Sequence, residues 1–463
     1  MLFHTPRFFL FLAVVLLLFY GAPRSWRRWI LLVASYFFYM CWNARFILLL
    51  ITLTAIDFAA GLWLARVAAG PRRKAALIMS LAANLGFLGF FKYYNFLASN
   101  VAMLLGLPVH AFALDIILPM GISFHTFQSM SYVIDVYRGR QRTITDPVDY
   151  ALYISFFPQL VAGPIVRARD FFADLYRWRA PDAREQLRGV LLVVFGLVKK
   201  LALADQFARL ADQYFAKPAA YPGWLAAWSG VVAFSIQIFF DFSGYTDMAI
   251  GLAQLLGFHF PENFRRPYLA RGITDFWRRW HISLSSWLRD YLYIPLGGNR
   301  RGRWRTYTNL MLTMLLGGLW HGASWNFVLW GGYHGALLAG ERVLGIQEPG
   351  SRWRWPDLLR AACTFALASI GWVFFRAANW RASFDILGRL FTGPHGHIVW
   401  PHWMLWYALL ALLAAGFEEA GQWFERLPAA PAWAYAAAIA VCLFCLELIG
   451  FTDRAVPFIY FQF

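Results

Sequence analysis

Charged residues are scarce in this 463-residue sequence: Asp, Glu, Lys and Arg make up 14% of it, against about 25% in an average soluble domain. Apolar residues make up 60% of the chain, and the mean hydropathy is +0.49. These values argue strongly against a soluble multidomain enzyme. Apolar runs that approach the length of a membrane span, about 20 residues, recur along the chain, so the sequence predicts an all-α polytopic membrane protein.

Acidic residues are fewer than basic ones, 25 against 42, which gives a net charge of +17. A nucleic-acid-binding protein is a poor interpretation, because the basic residues cluster between apolar runs, as in the cytoplasmic loops of membrane proteins. The four cysteines lie in apolar surroundings and need no disulfide framework. Cys442 and Cys445 form a C-x-x-C pattern, for which packing within a span is a better explanation than a metal or redox pair. We expect no metal and no permanently bound cofactor.

The apolar runs predict roughly 11 crossings, because several runs are shorter than a full span. They lie near residues 8–21, 28–42, 45–65, 75–91, 114–135, 187–203, 224–240, 306–320, 323–340, 358–376, 403–417 and 432–451.

Two further segments are apolar or aromatic but are not predicted to span. Pro158, Gly163 and Pro164 interrupt the segment 151–165 and predict a re-entrant element there. Residues 261–305 carry ten arginines mixed with Trp, Tyr and Leu, which predicts an amphipathic segment at the cytoplasmic surface. With one span ahead of the first basic cluster, the N-terminus would lie outside; that cluster is Arg24, Arg27 and Arg28.

A titratable residue within an apolar run is costly and is therefore a candidate for function. His321 is the strongest candidate base, because flanking glycines allow close backbone approach, and Trp320 and Trp325 are placed to wall a pocket. His334 lies 13 residues further on and would point away from His321 on a single helix, so we expect the two not to share a site.

His281 is the second candidate. Trp277 and Ser285 would lie on its helical face, and the neighbouring arginines would keep the imidazole neutral near pH 7. A hydrogen-bonded structural histidine is the alternative for both His281 and His321. Other candidates for a substrate path or for supporting roles are Arg289, Asp290 and Asn299.

Asp241, Tyr245 and Asp247 bring two carboxylates into an apolar stretch, where ionisation is expensive. Either these groups bond to Arg or Trp and brace the helices, or they line the path of the acceptor. We favour bracing, because buried carboxylates are usually paired.

Six motifs follow one another along the chain: LPMGISFHTFQSMSYVIDVYRG, FFPQLVAGPIVR, IFFDFSGYTDMAIGLAQLLGF, DFWRRWHISLSSWLRDYLYIPLGGNR, LLGGLWHGASWNFVLWGGYHG and FIYFQF. Together they resemble the motifs of the membrane-bound O-acyltransferase (MBOAT) family, especially its bacterial branch that contains the alginate O-acetyltransferase membrane subunit. The resemblance is strong over residues 118–335. Departures are small: His125 stands where Tyr is expected, and Arg265 and Arg266 replace a more polar pair.

The resemblance implies a single membrane domain over residues 1–463, with a motif-rich core at 118–335 and a tunnel through the bilayer. The family's paired histidines correspond to His281 and His321. His321, expected to be the more buried, would act as the base, and His281 would position substrate or stabilise charge. The acyl donor would be a cytoplasmic thioester, acetyl-CoA, and at most two or three of the ten arginines would touch it.

The expected function is acetyl transfer across the bacterial inner membrane for O-acetylation of an exported polysaccharide such as alginate. By resemblance, extracytoplasmic acetyltransferase partner proteins would complete the transfer to the polymer. Cellulose or peptidoglycan O-acetylation and teichoic-acid D-alanylation are alternatives of the same class. A secondary transporter or flippase and a non-catalytic assembly scaffold are alternatives of other classes. A transporter is disfavoured, because the sequence shows no inverted repeat and the histidine motifs cluster in one half.

Overall fold

The computed structural model describes residues 1–160, 163–346, 350, 354–397, 400–401, 403–417, 430–449 and 458–459. Regular structure within these ranges is helical, with no β-strand, so the all-α prediction is confirmed. The chain forms two compact units. The first comprises Met1–Val193 with Met248–Pro261, and the second comprises Val194–Asp247 with Glu262–Phe463.

The first unit begins with long apolar helices and ends with shorter ones. Pro6 opens the first helix, where a missing N–H costs nothing, and Asp146 caps a later one by accepting from the N–H groups of Val148 and Asp149. The helices are α1 (Pro6–Gly21), α2 (Arg24–Asn43), α3 (Ile47–Arg66), α4 (Pro71–Leu88), α5 (Tyr94–Leu104), α6 (Ile122–Tyr137), α7 (Pro147–Ser155), α8 (Phe157–Leu160), α9 (Ala168–Tyr176) and α10 (Ala183–Leu197), the last of which runs into the second unit.

The segment predicted to be re-entrant contains α7 and α8, with 9 and 4 residues. Neither helix approaches the roughly 20 residues that a span requires. Every residue of Leu152–Leu160 is buried, and the N–H of Phe157 donates to Ser35 Oγ at 3.1 Å. Protein therefore surrounds this broken backbone, which is the condition under which non-helical chain is tolerated at membrane depth.

The second unit contains the histidine motifs. Its long helix α12 continues past Asp247 into the first unit. The predicted amphipathic segment is not one helix, because His281 has a left-handed backbone (φ +43°) that separates two short helices. The helices are α11 (Asp205–Ala216), α12 (Trp224–Leu255), α13 (Ile273–Trp277), α14 (Ile282–Leu288), α15 (Arg303–His321), α16 (Trp325–Val343), α17 (Trp355–Arg376), α18 (Trp380–Phe391), α19 (Met404–Phe417) and a last helix at Ala432–Ile449, with π-helical turns at Val198–Ala204 and Arg289–Tyr293.

Four helical stretches of the described chain are long and apolar enough to cross a membrane: Arg24–Arg66, Pro71–Leu104, Trp224–Leu255 and Trp355–Arg376. Large apolar side chains on α1 and α3 are exposed, among them Leu17 (74%) and Leu48 (69%), as expected where lipid covers the surface. The polytopic membrane fold is thus confirmed, while the number of roughly 11 crossings stays a prediction.

Candidate active site

Two glycines allow α15 and α16 to pack closely. A Cβ atom at Gly318 would lie 2.1 Å from the carbonyl oxygen of Phe327, and one at Gly331 would lie 2.4 Å from the carbonyl oxygen of Met314. Backbone atoms cannot turn aside as a flexible side chain can, so any larger residue would push the helices apart. This packing fixes His321, the last residue of α15, against the start of α16.

His321 lines a cavity of about 370 Å³ in the second unit. Its imidazole is 5% exposed and makes edge-to-face contacts with Trp320 (5.0 Å between ring centroids), Trp330 (5.0 Å) and Phe375 (5.1 Å). Most of the cavity wall is apolar. The polar side chains on it besides His321 are Thr274, Arg278, Ser285, Ser286, Arg289, Tyr293 and Thr313.

His281 lies in a different environment, fully buried between α13 and α14. Its Nδ1 is 3.1 Å from Asn263 Oδ1, and the same oxygen accepts from the backbone N–H of Ser283 at 3.1 Å. Because a backbone N–H can only donate, Asn263 must present its oxygen here, and His281 must carry its proton on Nδ1. Nε2 is then left as the acceptor nitrogen of the ring.

Burial lowers the pKa of His281 to about 3, so the imidazole is neutral near pH 7. The neutral ring was predicted, but from the charge of neighbouring arginines, whereas desolvation is the cause. The expectation that His321 is the more buried of the pair is wrong, since His281 is 0% exposed and His321 is 5% exposed.

Trp320 links the two histidines. Its ring centroid is 6.1 Å from that of His281 and 5.0 Å from that of His321. Among the described residues, His281 does not line the cavity that His321 lines. Trp320 does not line it either, whereas Ile282, the residue after His281, does. An effect of His281 on chemistry in that cavity would therefore be indirect.

The other predicted site residues divide into two groups. Trp277, Ser285 and Arg289 line the cavity, and Asp290 holds the Arg289 guanidinium through an ion pair of 2.8 Å. Trp320 and Trp325, which were expected to wall the pocket, do not line it within the described chain. Trp320 is buried behind the wall beside His321, Trp325 is 50% exposed, and Trp330, which the sequence did not single out, lines the cavity instead.

His334 is fully buried, and its ring centroid lies 4.9 Å from that of Trp330. It is absent from the cavity wall within the described chain, while the ring of Trp330 contacts both His334 and His321. The two histidines thus have one aromatic neighbour in common, but only His321 faces the cavity.

A second, more polar cavity of about 430 Å³ adjoins the first. The two have five lining residues in common: Thr274, Arg278, Tyr293, Leu310 and Leu338. The polar cavity adds Arg271, Arg342 and Asn299 to its wall, together with two carboxylates. Both carboxylates already have partners: Asp275 pairs with Arg279 at 2.6 Å, and Glu341 accepts from the backbone N–H of Thr274 at 2.8 Å. The second unit therefore contains an arginine-rich cavity that has part of its wall in common with the mostly apolar cavity at His321.

The carboxylates of α12 lie in neither cavity. Lys200 Nζ contacts Asp241 (2.7 Å) and Asp205 (2.8 Å), and Lys199 Nζ contacts Asp247 (2.7 Å). Both lysines belong to the π-helical turn at Val198–Ala204, where the sequence suggested only an apolar run. Bracing is thus the role these contacts support, although the partners are lysines and not the expected arginine or tryptophan. Tyr245, one turn further along α12, is buried beside Phe458 at 4.5 Å between centroids.

Comparison with known proteins agrees with this geometry. The family model of the membrane-bound O-acyltransferase (MBOAT) family matches residues 139–347. A probable alginate O-acetylase AlgI of Pseudomonas aeruginosa is 45% identical over 389 residues, which cover 83% of this chain and 73% of the relative. The peptidoglycan O-acetyltransferase of Helicobacter pylori is 37% identical over 421 residues (84% and 79%), and the teichoic acid D-alanyltransferase of Bacillus subtilis is 29% identical over 273 residues (55% and 68%).

A helical membrane fold with a histidine on a cavity wall, together with this match, defines a class: the chain belongs to the membrane-bound O-acyltransferase family and is a multi-pass membrane O-acyltransferase. Within that family it is similar to the probable alginate O-acetylases over most of its length. The resemblance seen in the motifs is therefore confirmed. Of the closing motif, only Phe458 and Ile459 fall within the described residues.

Proposed function

We propose that this enzyme takes an acetyl group from cytoplasmic acetyl-CoA and delivers it across the bacterial inner membrane for O-acetylation of an exported polysaccharide. One observation carries the proposal: the cavity that contains His321 has five lining residues in common with an arginine-rich cavity. Two such adjoining environments suit a thioester donor, whose phosphates favour arginine and whose acyl group favours a mostly apolar wall.

The donor's phosphates would bind in the polar cavity. Arginine presents a planar fork of donors to phosphate, and Arg278 belongs to both cavities. Arg342 would assist from the polar side, whereas Arg271 is already engaged by Asp357 at 3.1 Å.

His321 would act as the general base. The acceptor's hydroxyl oxygen attacks the thioester carbonyl carbon, so a C–O bond forms and the C–S bond breaks. The imidazole takes the hydroxyl proton and returns it to the departing thiolate, a role that contributes typically 10²–10⁴-fold to the rate. His281 would be a positioning residue, because it does not line the cavity, whereas its ring contacts that of Trp320, which contacts His321.

The immediate acceptor would be an extracytoplasmic acetyltransferase partner, which then acetylates the polymer. Alginate is the first choice of polymer, since the relatives with 43% to 45% identity are named as probable alginate O-acetylases. Peptidoglycan is the second, on the 37% identity of the relative from Helicobacter pylori.

The test is the replacement His321→Ala in the native host. We expect membrane levels of the protein to be retained and ester-linked acetate on the exported polysaccharide to fall at least about 100-fold. In inside-out vesicles, labelled acetyl-CoA supplied to the cytoplasmic face should give an acetylated partner with the wild-type enzyme and not with the variant.

His110→Ala is the matched control, because His110 is an exposed histidine of the first unit. It should leave acetylation unchanged. Normal acetylation in His321→Ala would identify the protein as a scaffold or a transporter. If the partner is labelled from a D-alanyl carrier protein and not from acetyl-CoA, the donor is a different one.

A further inference from the structure

The first unit contains a cavity of about 240 Å³ beside the turn between α1 and α2. Basic and aromatic side chains line much of it: Arg24, Arg27, Arg28, Phe19, Tyr176 and Trp178. The proposed acyl-transfer chemistry uses none of these residues.

The positive charge of this cavity is only partly neutralised. Arg28 pairs with Asp146 (2.5 Å) and Asp149 (3.1 Å), so its charge is balanced within the protein. Arg24 donates to the carbonyl oxygen of Trp178 at 2.8 Å, which carries no formal charge. Among the described residues, neither Arg24 nor Arg27 has a carboxylate within ion-pair distance.

The Arg27 guanidinium is oriented by stacking on aromatic rings. Its guanidinium lies 4.2 Å from the ring centroid of Trp178 and 5.4 Å from that of Phe19. Its Nε is buried and finds no hydrogen-bond acceptor in the described part of the chain. Stacking orients the planar group but leaves its charge and several N–H donors to a ligand.

The surroundings are those of a membrane interface. Trp26 (63% exposed) and Trp29 (45%) project from the first turns of α2, and aromatic rings of this kind are enriched at the level of lipid headgroups. Leu17 (74%) and Leu18 (55%) near the end of α1 present an apolar surface suited to acyl chains. The positive charge of Arg24 and Arg27 thus lies next to a surface suited to contact with lipid.

We propose that this cavity binds the headgroup of an anionic phospholipid, with the phosphodiester between Arg24 and Arg27 and the acyl chains along α1. Basic pockets among helices on the cytoplasmic side of a membrane recognise anionic headgroups by this chemistry. A bound lipid would tie α1 and α2 to the segment that carries Trp178. It would stabilise the folded enzyme, because it binds the native state and not the unfolded one.

The test uses the purified full-length protein in a neutral detergent, titrated with phosphatidylglycerol or with phosphatidylcholine of the same acyl chains. Native mass spectrometry and thermal unfolding give the apparent Kd. For Arg24→Gln/Arg27→Gln we expect the Kd for phosphatidylglycerol to rise at least about tenfold, since each basic residue at a membrane surface contributes enough for several-fold binding. Phosphatidylcholine should bind both proteins weakly and equally.

The matched control is Arg66→Gln/Arg72→Gln, which removes the same charge from two exposed arginines of the same unit that do not line the cavity. Its Kd should change by less than about twofold. Equal losses in the two variants, or no loss in either, would overturn the site. Inorganic phosphate that stabilises the protein as well as the lipid does would also overturn it, in favour of a free-anion site. Should the double variant fail to fold, Arg24→Gln alone, at an exposed side chain, should still weaken lipid binding several-fold.

Discussion

Asn263 determines which nitrogen of His281 carries the proton, and burial keeps that ring neutral. In an unfolded chain a histidine has a pKa of about 6.5, whereas in the folded enzyme the pKa is about 3. Between these values the unfolded state binds the extra proton. The contribution of His281 to stability is therefore complete above about pH 6.5 and is lost as the pH falls toward about 3.

We predict that His281→Gln flattens this acid dependence. The wild-type free energy of unfolding should fall more steeply than that of the variant below pH 6.5, by up to about 1.4 kcal/mol per pH unit. Thermal unfolding in detergent across a pH series measures the difference. His110→Gln, at an exposed position, should retain the wild-type slope. An unchanged slope in His281→Gln would mean that His281 is not the buried neutral group described above.

At the same scale, the motifs identified both histidines and Trp320 beside them, but not Asn263 or Trp330. Asn263 is 18 residues from His281, and their contact is a tertiary one beside a left-handed backbone residue (φ +43° at His281), which no residue pattern predicts. Trp330 is missed because it lies beyond a break in the helix. Because α15 ends at His321 and α16 begins at Trp325, nearness in sequence to His321 does not tell which tryptophan faces its ring.

Helices α15 and α16 depend on glycine where their backbones meet. We predict that Gly318→Ala lowers the thermal stability of the purified enzyme and its acetylation activity, because the new Cβ would lie 2.1 Å from the carbonyl oxygen of Phe327. Overpacking of this kind typically costs about 1–3 kcal/mol. Unfolding in detergent and polymer acetylation provide the two measurements.

Gly332→Ala is the control on the same pair of helices, because its Cβ would meet only a side-chain atom of Leu315 at an ordinary 3.7 Å. It should be tolerated, and the better helix propensity of alanine gives it a small stabilising tendency. Equal tolerance at Gly318 would show that the two helices pack less tightly than these distances imply.

Helices agree with the sequence prediction where an apolar run is uninterrupted. They differ from it where the backbone leaves the α-helical conformation. The apolar runs of α2, α3 and α12 became long helices. The run at 187–203 instead ends in a π-helical turn that buries Lys199 and Lys200. Their charges are neutralised by the nearby Asp205 of α11 and by Asp241 and Asp247 of α12, which are distant in sequence. A hydropathy average over an apolar run hides two lysines within it. Their burial is explained only by the tertiary contacts with the carboxylates.

For the molecule as a whole, the distribution of its 42 basic residues predicts orientation. The cluster after α1 and the arginines at 261–305 should both face the cytoplasm, which requires α1 to cross the membrane. With 16 residues, α1 is about 24 Å long at 1.5 Å per residue, against a hydrocarbon core of about 30 Å. Local thinning of the bilayer and flanking residues accommodate a mismatch of this size at modest cost.

We predict opposite sides for the two ends of α1. In a variant whose four native cysteines are replaced, a cysteine added before Met1 should react with a membrane-impermeant maleimide in intact cells stripped of their outer membrane. Ser25→Cys and Arg300→Cys, both at exposed positions, should react only after the inner membrane is permeabilised. If the N-terminal cysteine and Ser25→Cys react from the same side, α1 does not cross. If Arg300→Cys reacts in intact cells, the arginine-rich cavity opens away from the cytoplasm, and acetyl-CoA could not reach it there.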